Sequence, residues 1–130
     1  MYLKRKDRLH ERLEIDIEPF KVNGFTSFHT LNMSASGALI GSYTLLELKT
    51  NELMHVCLDP WCEYFAKPIV CVARVARVAA PQSKGMLKYL KLRGEDPDIA
   101  TLVGIEFLMI PISDRRILEE FTINAFTMTA

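Results

Sequence analysis

A chain of 130 residues, 49% hydrophobic and 25% charged, can bury one core and is too short for two comfortable domains. Its 16 Lys+Arg offset its 16 Asp+Glu, which argues against a general nucleic-acid coat or a membrane-surface protein, so electrostatic recognition must be local. No apolar run approaches the ~18 residues of a membrane span, and the basic N-terminus runs into LEIDIE rather than an apolar leader core, so no export signal is read.

The chain opens on KRKDRLHER, Lys4 to Arg12, with five cations, two acids and a net charge of +3. Arg8 and Arg12 lie four residues apart, a spacing that puts both side chains on one side of either a strand or a helix. Such a pair repels itself unless an anion sits between the two guanidinium groups. Charge alone reads the stretch as a solvated basic lead-in.

From Leu13 the pattern alternates. Leu13, Ile15 and Ile17 are apolar, while Glu14, Asp16 and Glu18 are polar, which predicts a half-buried strand that Pro19 ends or confines to an edge. Asn23-Gly24 is a turn signal. A second extended stretch follows around Phe25 to Met33, then the loop SASG, then a third strand around Ala38 to Thr44. Met54, Val56 and Leu58 mark a fourth strand. PIVCVARVARVAA, Pro68 to Ala80, is long enough for a bent or bulged fifth, and Val103 to Met109 gives a sixth. Residues 81–100 read as a long hairpin connection, with at most one helical turn or a strand extension through Met86 to Leu92. Ser113 is a candidate cap for a final helix over 113–126, with Asp114 in its first turn and Ile117, Leu118, Phe121 and Ala125 at helical spacing. Six short antiparallel strands in so small a domain suggest a closed barrel, because closure removes exposed edges. The fold class is therefore all-β with a C-terminal helix: a six-stranded antiparallel barrel, flanked by one helix that covers a mouth or side.

Candidate chemistry is sparse. Cys57 and Cys62 do not have zinc-ligand spacing and no second pair exists. Cys57 and Cys71 read as buried small hydrophobes, and three free thiols in a chain without a leader suggest the reducing cytoplasm. His29 and His55 read as strand-face residues, since no triad pattern ties them to Ser34 or Ser36. GALIGS lacks the lysine of a phosphate loop. No metal, cofactor or catalytic constellation emerges, so an enzyme is not expected. Lys84, Lys88, Lys91 and Arg93 around Tyr89 offer a different function, a single-stranded nucleic-acid surface on a small barrel. The zero net charge favours a solvated arm there instead.

NMSASG carries more. Asn32, Ser34 and Gly37 stand in the order N-x-S-x-x-G at a strand end. Asn supplies an acceptor and donors, Ser a hydroxyl, and Gly admits positive φ or a close backbone approach. Alone, such a stretch is an ordinary turn.

RLHER followed about twenty residues later by NMSASG resembles the PilZ domain family, whose signature is RxxxR before the first barrel strand and [D/N]xSxxG after the second. The valine-rich PIVCVARV, the strand VGIEF and the helix DRRILEEF follow in the family's order, so the resemblance covers nearly the whole chain. It implies a basic arm over 1–12, a barrel over 13–112 that includes the 81–100 connection, and a helix over 113–126. It also implies a non-enzymatic bacterial receptor for cyclic di-GMP, a ligand with two phosphate charges and two guanines. Carried over by position, Arg8 and Arg12 would hold guanine and phosphate, while Asn32, Ser34 and Gly37 would line the opposite wall. Arg5 is an accessory candidate. Asn32 stands where Asp is more frequent in the family, and Asp7 disfavours a second stacked ligand. With no room for an output domain, the expected output is an arm that orders on binding and signals to an effector protein through the 81–100 connection or the helix face. A PilZ-like interaction module without ligand binding is the remaining alternative.

Overall fold

The computed structural model describes residues 13–44, 47–79, 83–96 and 98–129, with side chains described as far as Thr122. Six strands appear in the order expected: β1 (Glu14–Pro19), β2 (Thr26–Ser34), β3 (Gly37–Ser42), β4 (Leu53–Leu58), β5 (Ile69–Val78) and β6 (Thr101–Met109). They close into one barrel in the order β1-β2-β3-β6-β5-β4, and every neighbouring pair is antiparallel. β1 seals the ring, with Ile15 opposite Phe28 of β2 on one side and opposite Leu58 of β4 on the other. Closure leaves these strands no free edge to template aggregation.

Alternation sets the faces. Leu13, Ile15, Ile17, Val56, Val75 and Ile105 point into a shared apolar interior, while Glu14, Asp16 and Glu18 stay partly exposed. On the outside Asp16 Oδ1 accepts from Ser27 Oγ across the β1–β2 pair at 2.7 Å. Asn23-Gly24 lies in the connection between those strands; Gly24 has φ +107 and donates its N–H to Glu18 Oε2 at 2.6 Å.

The β4–β5 connection is held by Asp59. Its carboxylate is 1% exposed and accepts three backbone N–H groups, from Glu63 (2.9 Å), Tyr64 (2.9 Å) and Phe65 (2.8 Å). This cradle delivers Phe65 to the barrel interior. There it meets Phe121 edge-on at 4.9 Å between ring centres.

The described residues form two helices. The first, α1 (Lys84–Arg93), occupies the segment read above as a hairpin connection and runs for nearly three turns. Ser83 caps it by accepting from Met86 N–H at 3.2 Å. Gly94 ends it in the left-handed conformation at φ +65, and Glu95 N–H donates to Leu90 O at 2.9 Å. Only Met86 and Leu90 of α1 are buried, a one-turn apolar pair among lysines, and so narrow a stripe is easily overlooked in the sequence. They form a second, smaller core on the barrel's outer surface with Leu31, Ile99 and Leu102.

The other helix, α2 (Ile112–Thr129), starts before the expected Ser113 cap, with Arg115 N–H donating to Pro111 O at 2.9 Å. Ser113 therefore sits inside the first turn, and Pro111, which has no N–H of its own, occupies the cap. α2 sends Leu118 into the main core.

The cysteines divide differently from the expectation. Cys71 is buried, Cys57 is only half-buried on the outer face opposite Asp16 and Val70, and Cys62 is exposed. His29 and His55 are exposed strand-face residues, and the His55 ring lies 4.6 Å from that of Phe20.

Candidate ligand-binding site

Two β-bulges shape the outer face of the barrel beneath α1. In β2 the register shifts between Thr30, opposite Ile40, and Asn32, opposite Leu39. Leu31 is the extra residue. Regular alternation would place Leu31 and Met33 on one face, yet Met33 fills the barrel interior and Leu31 the outer cluster. The bulge thus turns Leu31 and Asn32 outward together. In β5 the register shifts between Val75, opposite Ile105, and Arg77, opposite Gly104. Strict alternation from Ile69 through Cys71, Ala73 and Val75 would aim Arg77 into the core, where an unpaired guanidinium is prohibitive. The bulge leaves Ala76 and Arg77 both exposed.

These irregularities frame one open depression of about 530 Å³, lined among others by Asn32, Ser34, Gly37, Arg77, Tyr89 and Glu106. The structure therefore brings together Asn32, Ser34 and Gly37, as the N-x-S-x-x-G spacing suggested. Arg5, Arg8 and Arg12, the other residues singled out by the sequence, lie outside the described residues.

Each polar group is held from its own element. Ser34 ends β2 and pairs with Gly37 at the start of β3. Its hydroxyl lies 3.1 Å from Ser36 Oγ and accepts Ser36 N–H at 3.3 Å, which tightens the two-residue hairpin. Gly37 is needed for a reason other than positive φ or ligand approach. A Cβ there would run into the carbonyl oxygen of Ile105 on β6, so glycine admits the neighbouring strand. Asn32 is 8% exposed and donates Nδ2–H to Tyr89 Oη at 3.1 Å. Tyr89 in turn has the Arg93 guanidinium 5.9 Å from its ring centre.

The two arginines of β5 differ sharply. Arg74 is committed: its Nη2 lies 2.6 Å from Glu106 Oε1, and its Nη1 donates to Asn51 Oδ1 at 2.7 Å. Arg77 has no ion-pair or side-chain hydrogen-bond partner among the described residues, so the depression carries an uncompensated cation on its wall. The sequence reading gives Arg77 no role and places Tyr89 only in the single-stranded nucleic-acid alternative. The signal for Arg77 was present in IVCVARVARV, as an arginine on the buried phase of a strand; Tyr89 depends on a helix that was not expected.

A second, less polar depression of about 610 Å³ runs along β2 and β3, with Phe28, His29, Leu31, Tyr43 and Ile99 in its lining and no lysine or arginine. It is poorly suited to a doubly anionic ligand. The lysines of α1 remain exposed, but the tyrosine among them is tied to Asn32, which weakens the case for a stacking platform for single strands. Among the described residues no three His, Cys, Asp or Glu side chains gather where a metal could bind, and no helix is long and apolar enough to cross a membrane.

The architecture has known counterparts. No protein-family sequence model and no characterised protein sequence matches the chain. Solved structures do. The Bacillus subtilis inhibitor of motility MotI/DgrA superposes with a TM-score of 0.70 at 16% identity, over 93% of this chain and 50% of that one. The PilZ domain of YcgR from Escherichia coli, solved with c-di-GMP, gives 0.57 at 14% identity over 94% and 89%. The PilZ domain of CeSA from a cellulose-synthesizing bacterium gives 0.56 at 8% identity over 91% and 96%. The chain thus spans about half the length of MotI/DgrA and nearly all of the CeSA domain. With six antiparallel strands closed in one ring, a bulged polar face and a C-terminal helix packed into the core, the chain has the PilZ-domain fold.

Proposed function

We propose that this chain is a receptor for cyclic di-GMP that performs no catalysis and passes its signal to a partner protein. The observation that carries the reading is where the chain enters the barrel. Leu13 exchanges hydrogen bonds with Thr30, accepting its backbone N–H at 2.9 Å and donating its own N–H to Thr30 Oγ1 at 3.1 Å. Thr30 is two residues from Asn32, and Arg12 immediately precedes Leu13. Covalent geometry alone therefore keeps the RxxxR segment within reach of the depression, since each residue adds at most about 3.6 Å.

The chemistry is complementary. Two phosphates and two guanines call for guanidinium forks, which bond phosphate oxygens or guanine O6 and N7 in pairs. Arg8 and Arg12 supply these from the arm and Arg77 supplies one from the barrel. Asn32 and Ser34 face them with short polar groups. Binding closes the arm over the depression and remodels the surface it shares with α1, which lies in the 81–100 connection and contributes Tyr89 to the lining.

Isothermal titration of the folded chain with cyclic di-GMP tests this. The expected result is saturable heat with one ligand per chain, weakened at least about tenfold in Arg12→Ala. No heat at tens of micromolar protein sinks the reading. Unchanged affinity in Arg12→Ala removes the arm from the site.

A further inference from the structure

Resting on the cyclic di-GMP reading, we propose that the outer face of α1 is the surface through which the signal leaves, and that it takes a short acidic segment of a partner protein. α1 reads KGMLKYLKLR, with four cations and no acid, in a chain whose charges balance as a whole. Lys84 and Lys88 are four residues apart and Lys88 and Lys91 three, so they are neighbours on the helix surface and repel. Lys84 also stands in the first turn, where the helix dipole opposes a cation. All three lysines are exposed, and none has an ion pair among the described residues. The repulsion is therefore uncompensated within the fold, and a bound anionic partner relieves it.

The face is also shaped. With 3.6 residues per turn the three lysines fall within about 60° of arc and along ~10 Å of helix axis. Met86 and Leu90 lie on the opposite side, buried against Leu31, Ile99 and Leu102, so the lysine stripe points away from the barrel. Leu87 and Leu92 flank the stripe on its two sides and are 45% and 74% exposed. One exposed leucine is ordinary. Two that bracket a basic stripe make an apolar rim that a partner's own apolar side chains can cover.

Complementarity selects the class of partner. Asp96 and Asp98 stand exposed just past the Gly94 cap. A long polyanion laid along α1, whether a nucleic-acid strand or an anionic bilayer, would meet those carboxylates, and a chain of zero net charge has no wider field to gather it. About two turns of an acidic, leucine-bearing helix match the stripe and the rim and stop short of the carboxylates. The face is coupled to the ligand site through the helix itself, because Tyr89 lines the depression and only two buried side chains hold α1 in place.

The test is titration of the full chain with a synthetic helical peptide carrying glutamates at i, i+4 and i+7 flanked by leucines, read by fluorescence anisotropy with and without saturating cyclic di-GMP. A peptide with glutamine in place of glutamate, a single-stranded RNA and phosphatidylglycerol vesicles are the comparisons. Saturable binding of the glutamate peptide is expected, weakened at least about tenfold in the triple variant Lys84→Gln, Lys88→Gln, Lys91→Gln and weakened further by salt. Leu87→Ala with Leu92→Ala should cost at least about threefold. The triple variant should keep its cyclic di-GMP affinity within about twofold, since its lysines face away from the depression. Cyclic di-GMP should change the peptide's affinity by about fivefold or more. No binding of the glutamate peptide, equal binding of the glutamine peptide, or tighter binding of RNA or vesicles overturns the proposal. Equal peptide affinity with and without bound cyclic di-GMP overturns α1 as the output surface. A chain that binds the peptide but no cyclic di-GMP overturns the receptor reading and supports the docking surface alone.

Discussion

Gly37 and Arg77 face the same depression and should fail differently when changed. A methyl at Gly37 collides with the Ile105 carbonyl oxygen, so Gly37→Ala must push β3 away from β6 across the Gly37–Glu106 pair. Its expected effect is on stability, about 2–4 kcal/mol by denaturant unfolding, with any loss of ligand following from the damaged hairpin. Arg77 holds no partner among the described residues, so Arg77→Ala should leave the unfolding midpoint within about 0.5 kcal/mol and still reduce cyclic di-GMP affinity. The reduction should be about five- to fiftyfold and should shrink as salt rises. A destabilised Arg77→Ala protein with normal affinity would assign the arginine to the scaffold instead. At this scale the sequence was informative about residue types and less so about reasons. The spacing of Asn32, Ser34 and Gly37 was enough to group them, but the demand on Gly37 comes from a strand nearly seventy residues away, which no local pattern records. Arg77 was legible in principle, because alternation would bury it and burial of a lone guanidinium is untenable.

At the scale of elements, β1, β4 and β6 could be read from two-residue alternation because each has one face in the barrel and one outside it. α1 could not. Its exposed positions carry Lys84, Lys88, Lys91 and Leu92, and its packing rests on Met86 and Leu90, too short a stripe to outweigh the charge around it. Its start and stop were nonetheless written in Ser83 and Gly94, a cap three residues before Met86 and a glycine just past Arg93. Because α1 packs on a cluster separate from the barrel interior, it should open without the barrel. Leu90→Ala removes its most deeply buried side chain, a change worth about 2–4 kcal/mol at such sites. Hydrogen exchange should then show Lys84–Arg93 losing protection while β4 and β5 keep theirs. Loss of protection throughout would mean that the outer cluster and the barrel are a single cooperative unit.

For the molecule as a whole, closure of the barrel has an electrostatic consequence at Cys71. Its side chain enters the interior from β5 and is 5% exposed. Burial, then the nearby Asp114 and Cys57, pushes the thiol up from 9.0 to about 11. An acid whose pKa is higher in the folded state keeps its proton longer there than in the unfolded chain. Between pH 9 and 11 the folded state therefore binds more protons than the unfolded one, and stability falls as pH rises. Below pH 9 both states are protonated and the contribution is fully present. The two-unit gap corresponds to roughly 2–3 kcal/mol, lost progressively across that window. Other groups titrate there as well, so the informative quantity is a difference. Unfolding free energies of the unsubstituted protein and Cys71→Ala, measured from pH 7 to 11, should run parallel up to about pH 8.5. They should then converge, because only the former has a thiol that resists ionisation in the fold. Parallel curves to pH 11 would show that water reaches Cys71 through the barrel wall. That would also undercut the dry interior on which the register of β5, and with it the outward turn of Arg77, depends.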